Sequence, residues 1–186
     1  MEGGTLDAVV KRACAGDDDA FAELYRQFRR RVFGLCQHFL GFVAAEDASS
    51  EVFLRAKRAM SSYDSALPFQ RWVLSIAAHH CVDQLRRRRV EQRLFDPGAV
   101  EDAEPAGAEP SPLGALLTAE ERGAVRAAVE SLPERLRLPL VLRYYSELSY
   151  EQIAATLGLK RNHVATLIFR GKKELRRALA RKEPVQ

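Results

Sequence analysis

The chain has 186 residues, 47% of them hydrophobic and 29% charged, with a formal net charge of +4. No apolar run approaches the roughly 18–20 residues of a membrane span, and the opening Met1-Glu2-Gly3-Gly4-Thr5 is neither basic nor followed by an apolar core, so neither membrane insertion nor export is expected. Cys14, Cys36 and Cys81 are odd in number and scattered, which suits a reducing, cytoplasmic compartment and argues against a disulfide framework.

Helical spacing runs through almost the whole chain and no stretch alternates long enough to be a strand, so the expected fold class is all-α. A short amphipathic helix begins near Thr5. Asp17 to Asp19 then supply a cap and negative charge at the start of a longer helix. Its apolar face carries Phe21, Leu24, Tyr25, Phe28, Val32, Leu35, Cys36 and Phe39, and Gly41 ends it. The next helix is expected from about Glu46 to Met60, burying Val52, Phe53 and Ala56. Ser, Asp and Pro cluster in residues 61–68, which predicts a loop. A further long helix starts near Phe69 and carries Trp72, Val73, Ile76, Ala77, Val82 and Leu85 into the block Arg86 to Arg89.

Residues 96–114 are rich in Pro, Ala, Gly and acid, with too little apolar surface to offset ordering entropy. They predict a flexible acidic linker between two small helical domains, residues 1–95 and residues 115–186. The second domain is expected to hold four helices, at about 115–130, 134–145, 150–157 and 161–181. Pro133 suits the first turn of its helix, where a missing N–H costs nothing. Ser149-Tyr150-Glu151-Gln152 has the pattern of a capping box. Gly158 follows, and then a long basic helix expected to bury Val164, Ile168, Gly171, Leu175 and Leu179. A short capped helix, a glycine turn and a basic helix form a helix-turn-helix pattern, although other helical hairpins share it.

Charge is unevenly spread. Residues 160–182 hold nine Lys or Arg against the single Glu174, Arg86 to Arg89 form a second basic block extended by Arg93, and Asp96, Glu101, Asp102, Glu104 and Glu109 lie between the blocks. Two basic patches separated by an acidic spacer fit two contacts with a polyanion; solvated helix faces are the plainer reading.

Three blocks read together resemble the extracytoplasmic-function subgroup of the sigma-70 family of bacterial RNA polymerase sigma factors. Ala45-Glu46-Asp47-Ala48-Ser49-Ser50-Glu51-Val52-Phe53-Leu54-Arg55 is similar to the helix by which these factors dock on the polymerase clamp. Phe69-Gln70-Arg71-Trp72-Val73-Leu74-Ser75-Ile76-Ala77, with Asp83 and Leu85 to Arg89, resembles the promoter-melting segment. Leu132-Pro133-Glu134-Arg135, Leu142-Arg143-Tyr144, Leu148 to Ala154 and Leu157-Gly158-Leu159 resemble the C-terminal sigma domain. The blocks stand in the family's order over about residues 18–180.

The resemblance implies partners and sites. Core polymerase would meet Asp47, Glu51, Phe53 and Arg55. The −10 element would meet Tyr63, Asp64, Ser65, His79, Asp83, Arg86 and Arg87, the loop 61–68 holding a flipped base. The −35 element would meet Arg161, Asn162, His163, Thr166, Arg170, Lys172 and Lys173. It also implies promoter DNA and an anti-sigma factor as partners, with no cofactor and no metal.

The sequence departs from the family pattern at Ser50, at Ala78-His79 and at Ala165-Thr166-Leu167. Cations or amides usual at these places are missing, which weakens the expected contacts there. Plainer readings stand beside several sites. Trp72 could stack on a base but has core spacing with Ile76; Asp47 and Glu51 could merely solvate a helix face; adjacent His79-His80-Cys81 diverge by about 100° each on a helix and make a poor metal site. No nucleophile–base pair, phosphate loop or acid dyad suggests an enzyme. A stand-alone helix-turn-helix regulator would leave the docking helix without purpose, and a protein-binding adaptor would leave the basic blocks unexplained.

Overall fold

A computed structural model describes residues 3–95 and 119–180, and within these the side chains of residues 6–90 and 123–180. The described chain is all helical, in two subdomains. The first comprises α1 (Gly3–Cys14), α2 (Asp18–Leu40), α3 (Phe42–Ala59), a single 3₁₀ turn (Met60–Ser62) and α4 (Phe69–Phe95); the second comprises α5 (Ala119–Glu130), α6 (Glu134–Tyr144), α7 (Tyr150–Leu157) and α8 (Arg161–Ala180). The linker expected at 96–114 lies outside the described residues.

The Asp17 carboxylate caps α2, accepting from the Ala20 N–H at 3.0 Å. Its apolar positions recur as expected: Ala20, Leu24, Phe28, Val32, Leu35 and Phe39 are all buried. Gly41 stops the helix at φ 81°, ψ 169°, a backbone region that is open essentially to glycine alone. One residue suffices for the break, so α3 begins at Phe42, four residues before the expected start at Glu46.

Alanines lie where α3 and α4 approach their neighbours, at Ala45, Ala48, Ala56, Ala77 and Ala78. Aromatic pairs fill the wider gaps, Tyr25 edge-on to Phe53 at 4.7 Å and Phe28 against Phe69 at 5.2 Å. Helix α4 packs on both α2 and α3, so its buried face is broader than the spacing suggested: Leu74, Ala78 and Cys81 are buried with Val73 and Ala77, while Ile76 is half-exposed. The buried Cys36 and Cys81 thiols share a hydrogen bond, which together with burial holds Cys81 protonated.

In the second subdomain Pro133 sits one residue earlier than expected, as the cap of α6 at ψ 139°. Pro139 is the proline inside α6; lacking an N–H, it leaves the Arg135 carbonyl without its intrahelical donor. The capping box at Ser149 and Gln152 is formed in both directions, at 3.2 and 2.8 Å. Gly158 then takes the left-handed conformation (φ 69°, ψ 36°) that turns the chain into α8.

One hydrophobic cluster runs through both subdomains, from Val10 in α1 to Ile168 in α8. A fully buried Leu or Val contributes about 1.5–3 kcal/mol. The cluster is therefore the main term holding the halves in their present arrangement.

Candidate nucleic-acid and polymerase interfaces

On α3 the outward ridge is Val43, Asp47, Ser50 and Leu54, spaced by four, three and four residues. Val43 is 90% exposed and Leu54 51%. Asp47 is exposed and has no ion-pair partner among the described residues. Glu51 instead accepts from Arg55 Nε at 2.8 Å, and that bond holds its carboxyl below the usual range. Phe53 departs from the expectation. It is buried beneath the helix against Tyr25, and the apolar side chain presented outward is Leu54, which burial spacing alone would have revealed. A protein surface docking here would meet two apolar side chains flanking a carboxylate.

The loop 63–68 is held by its own side chains. The Tyr63 hydroxyl donates to the Leu67 carbonyl, and the Asp64 carboxylate accepts from the Ala66 N–H at 2.9 Å. Burial also pushes the Tyr63 phenol upward, so it remains a donor. Its ring meets Trp72 at 5.1 Å and Phe69 at 5.9 Å. Trp72 is thus half-buried in an aromatic cluster beneath the loop, while Asp64 and Ser65 stay exposed. Beside the loop a cleft of about 320 Å³ opens between Leu6, Phe28, Arg31, Pro68 and Phe69.

Along α4, His79, Asp83, Arg86 and Arg87 are all exposed, whereas His80 and Cys81 are buried. His79 Nδ1–H donates to the Ser75 carbonyl at 2.7 Å. Its Nε2 lies 3.2 Å from the Thr156 hydroxyl of α7. Arg86 is 3.6 Å from Asp83 and donates to the Thr156 carbonyl at 3.2 Å. Arg89 pairs with Glu134 of α6. Several of the residues singled out for the −10 strand are thus occupied by the second subdomain.

On α8, Arg161, Asn162, His163, Thr166, Arg170, Lys172 and Lys173 are exposed. Arg161 pairs with Glu151 and lies over the Tyr150 ring at 5.9 Å. Thr166 donates to the Asn162 carbonyl at 3.0 Å, and Lys172 stands over Tyr144 at 5.8 Å. Phe169, at 70% exposure, shares this surface and was not singled out from sequence, because an aromatic at helical spacing reads as core. Leu167 is 8% exposed, and it lines a groove of about 910 Å³ with Leu132, Leu136, His163, Arg170 and Lys173. The buried stripe of α8 is accordingly Val164, Leu167, Ile168 and Gly171, with Leu175 and Leu179 at its half-exposed edge. Exposed cations on a glycine-turned second helix can neutralise phosphates and reach base edges in a major groove.

Comparisons with known proteins match both halves. Residues 24–91 match the family described as sigma-70 region 2, and residues 122–175 match sigma-70, region 4. The chain is 31% identical over 183 residues to the ECF RNA polymerase sigma factor SigW of Bacillus subtilis, covering 91% of this chain and 94% of the relative. It is also 31% identical to the ECF RNA polymerase sigma-E factor of Escherichia coli K12, covering 92% of each. Among solved structures it resembles RpoE of Bartonella quintana, seen with the anti-sigma factor NepR, at TM-score 0.61 and 19% identity over 88% of this chain and 98% of that one. CnrH, solved with the cytosolic domain of CnrY, matches at TM-score 0.58 and 20% identity over 95% of this chain and 97% of that one, a likeness of fold. With both regions matched in order and relatives covered almost end to end, the chain belongs to the sigma-70 family, among its ECF RNA polymerase sigma factors.

Proposed function

We propose that the chain works in the cytoplasm as a promoter-specificity subunit with labour divided among three surfaces. The ridge of α3 around Asp47 and Leu54 docks on core polymerase, with Glu51 and Arg55 as an internally paired flank. The loop around Tyr63, Asp64 and Ser65, with His79, Asp83, Arg86 and Arg87 of α4, engages the opened −10 strand. Helix α8 meets the −35 element, Arg161, Asn162, His163 and Thr166 toward base edges and Arg170, Lys172 and Lys173 toward phosphates.

The observation that carries this reading is the pairing, on one chain matching both sigma-70 regions, of a basic helix-turn-helix with a separate arginine-bearing helix beside an aromatic-pinned loop. Residues 1–95 and 115–186 then act as the two functional domains, joined by 96–114. An anti-sigma protein is a further proposed partner, since structural neighbours were solved with such proteins bound.

The test is in vitro transcription. Core polymerase with the purified chain should start at discrete positions in a promoter library, and core alone should not. Indistinguishable initiation with and without the chain would sink the proposal.

A further inference from the structure

The two subdomains meet along one seam, and that seam crosses the nucleic-acid side of α4. Thr156 of α7 contacts both His79 and Arg86. Glu134 of α6 takes Arg89. Arg86 also closes on the helix-turn-helix glycine, since a Cβ at Gly158 would lie 3.1 Å from its Nη2. On α2 the seam is fixed by Tyr145, whose hydroxyl donates to the Arg31 carbonyl at 2.9 Å and whose ring meets His38 edge-on at 5.9 Å. The tyrosine lies across Gly34: a Cβ placed there would be 2.5 Å from the Tyr145 hydroxyl oxygen, and its three nearest neighbours would all be Tyr145 atoms. Gly34 sits in the interior of α2, where glycine is a poor helix former, so its value here is the space it leaves for Tyr145.

We infer that this seam is an autoinhibitory contact. In the free chain the second subdomain covers the cation-bearing face of α4, and single-stranded DNA reaches that face only when Tyr145 leaves Gly34 and Arg31. The inference rests on the reading of α4 as the strand-binding helix given above. His79 and Arg86 cannot hold Thr156 and a DNA strand with the same donors. A closed form is therefore a competitor to DNA, and its population directly lowers the apparent affinity of the free chain.

The decisive variant is Gly34→Ala in the full-length chain. Alanine favours α2 itself, so helix content and core-polymerase binding should hold while the tyrosine is displaced. The expected result is a larger radius of gyration by small-angle scattering. Affinity for a fluorescein-labelled single-stranded oligonucleotide of mixed sequence should rise as well. The gain is about tenfold if the closed form is about nine-tenths populated. Tyr145→Phe, which deletes only the hydroxyl, should move both readouts the same way by less, and it tests the seam from the other side if Gly34→Ala folds poorly. Unchanged size and affinity in both variants would overturn the inference, as would expansion without any gain in binding.

A third arm separates the inference from the function it rests on. Arg87 is exposed and stands outside the contacts of the seam, so adding Arg87→Ala to the Gly34→Ala chain should lower oligonucleotide affinity. If Gly34→Ala expands the chain and raises affinity but Arg87→Ala has no effect, masking of α4 is overturned and the assignment of α4 to the strand fails with it.

Discussion

At the scale of single residues, environment separates side chains that look alike in the sequence. Leu167 occupies a place where relatives of this family carry a cation, and it lies buried in the groove between α6 and α8, ringed by His163, Arg170 and Lys173. Leu167→Arg puts a charge into that apolar floor beside other cations. A loss of about 1–3 kcal/mol is expected, read as a lower melting temperature with no gain in upstream-element binding. Tighter −35 binding at unchanged melting temperature would mean that this face is open to DNA.

Glu147 is the other informative residue, the described non-glycine with positive φ, at 56° in the turn between α6 and α7. A left-handed conformation costs an ordinary residue about 1–2 kcal/mol, part of which glycine's larger unfolded-state freedom returns. Glu147→Gly should therefore raise stability by about 0.5–1 kcal/mol in denaturant titration. A destabilised variant would show that the Glu147 side chain makes a compensating contact.

At the scale of elements, α3 shows how a helix sorts its charges. Asp47 and Glu51 are one turn apart, yet Glu51 is committed to Arg55 and Asp47 is not. Asp47→Lys should therefore weaken core-polymerase binding more than Glu51→Lys in a titration with purified core. A reversal facing a cationic partner costs more than the roughly 0–1 kcal/mol of an exposed pair. Equal effects of the two reversals would remove the distinction.

The elements themselves were largely legible in the sequence. Three-and-four spacing located α2, α7 and α8, and the Ser149 box and Gly158 fixed the turn between the last two, because those signals are local and each has one physical meaning. The misses have a common cause. Phe53, Leu74 and Leu167 were placed on the wrong side or left out because an apolar residue's direction depends on which neighbour its helix meets. The start of α3 was placed late because a single glycine at φ 81° can break a helix without any loop signal. The contacts of Tyr145 with Gly34 and of Thr156 with His79 join residues far apart in the chain, and no periodicity encodes them.

At the scale of the whole molecule, the seam is a proton-linked equilibrium. His38 lies in the last turn of α2, where the helix dipole favours a cation. Burial outweighs that preference, aided by Arg126 of α5 and then Arg137 of α6, and brings the imidazole from 6.5 down to about 4. The closed form therefore holds His38 neutral, while an open form lets it titrate near its ordinary value. Closure is fully favoured above about pH 6.5 and weakens as pH falls toward about 4, by up to about 3 kcal/mol for one proton. The radius of gyration should be larger at about pH 5 than at about pH 7.5, and His38→Leu should remove most of that difference. A pH-independent size would detach His38 from the equilibrium.

The apolar cluster that runs unbroken from Val10 to Ile168 has a calorimetric consequence. Two bodies joined only by a tether melt separately, each with its own heat-capacity peak. Here removing either half would expose the apolar surface of the other, so each subdomain's unfolding free energy includes a share of its neighbour's. The free chain should melt in one peak whose calorimetric and van't Hoff enthalpies agree. Gly34→Ala, by uncoupling the halves, should split that peak into two.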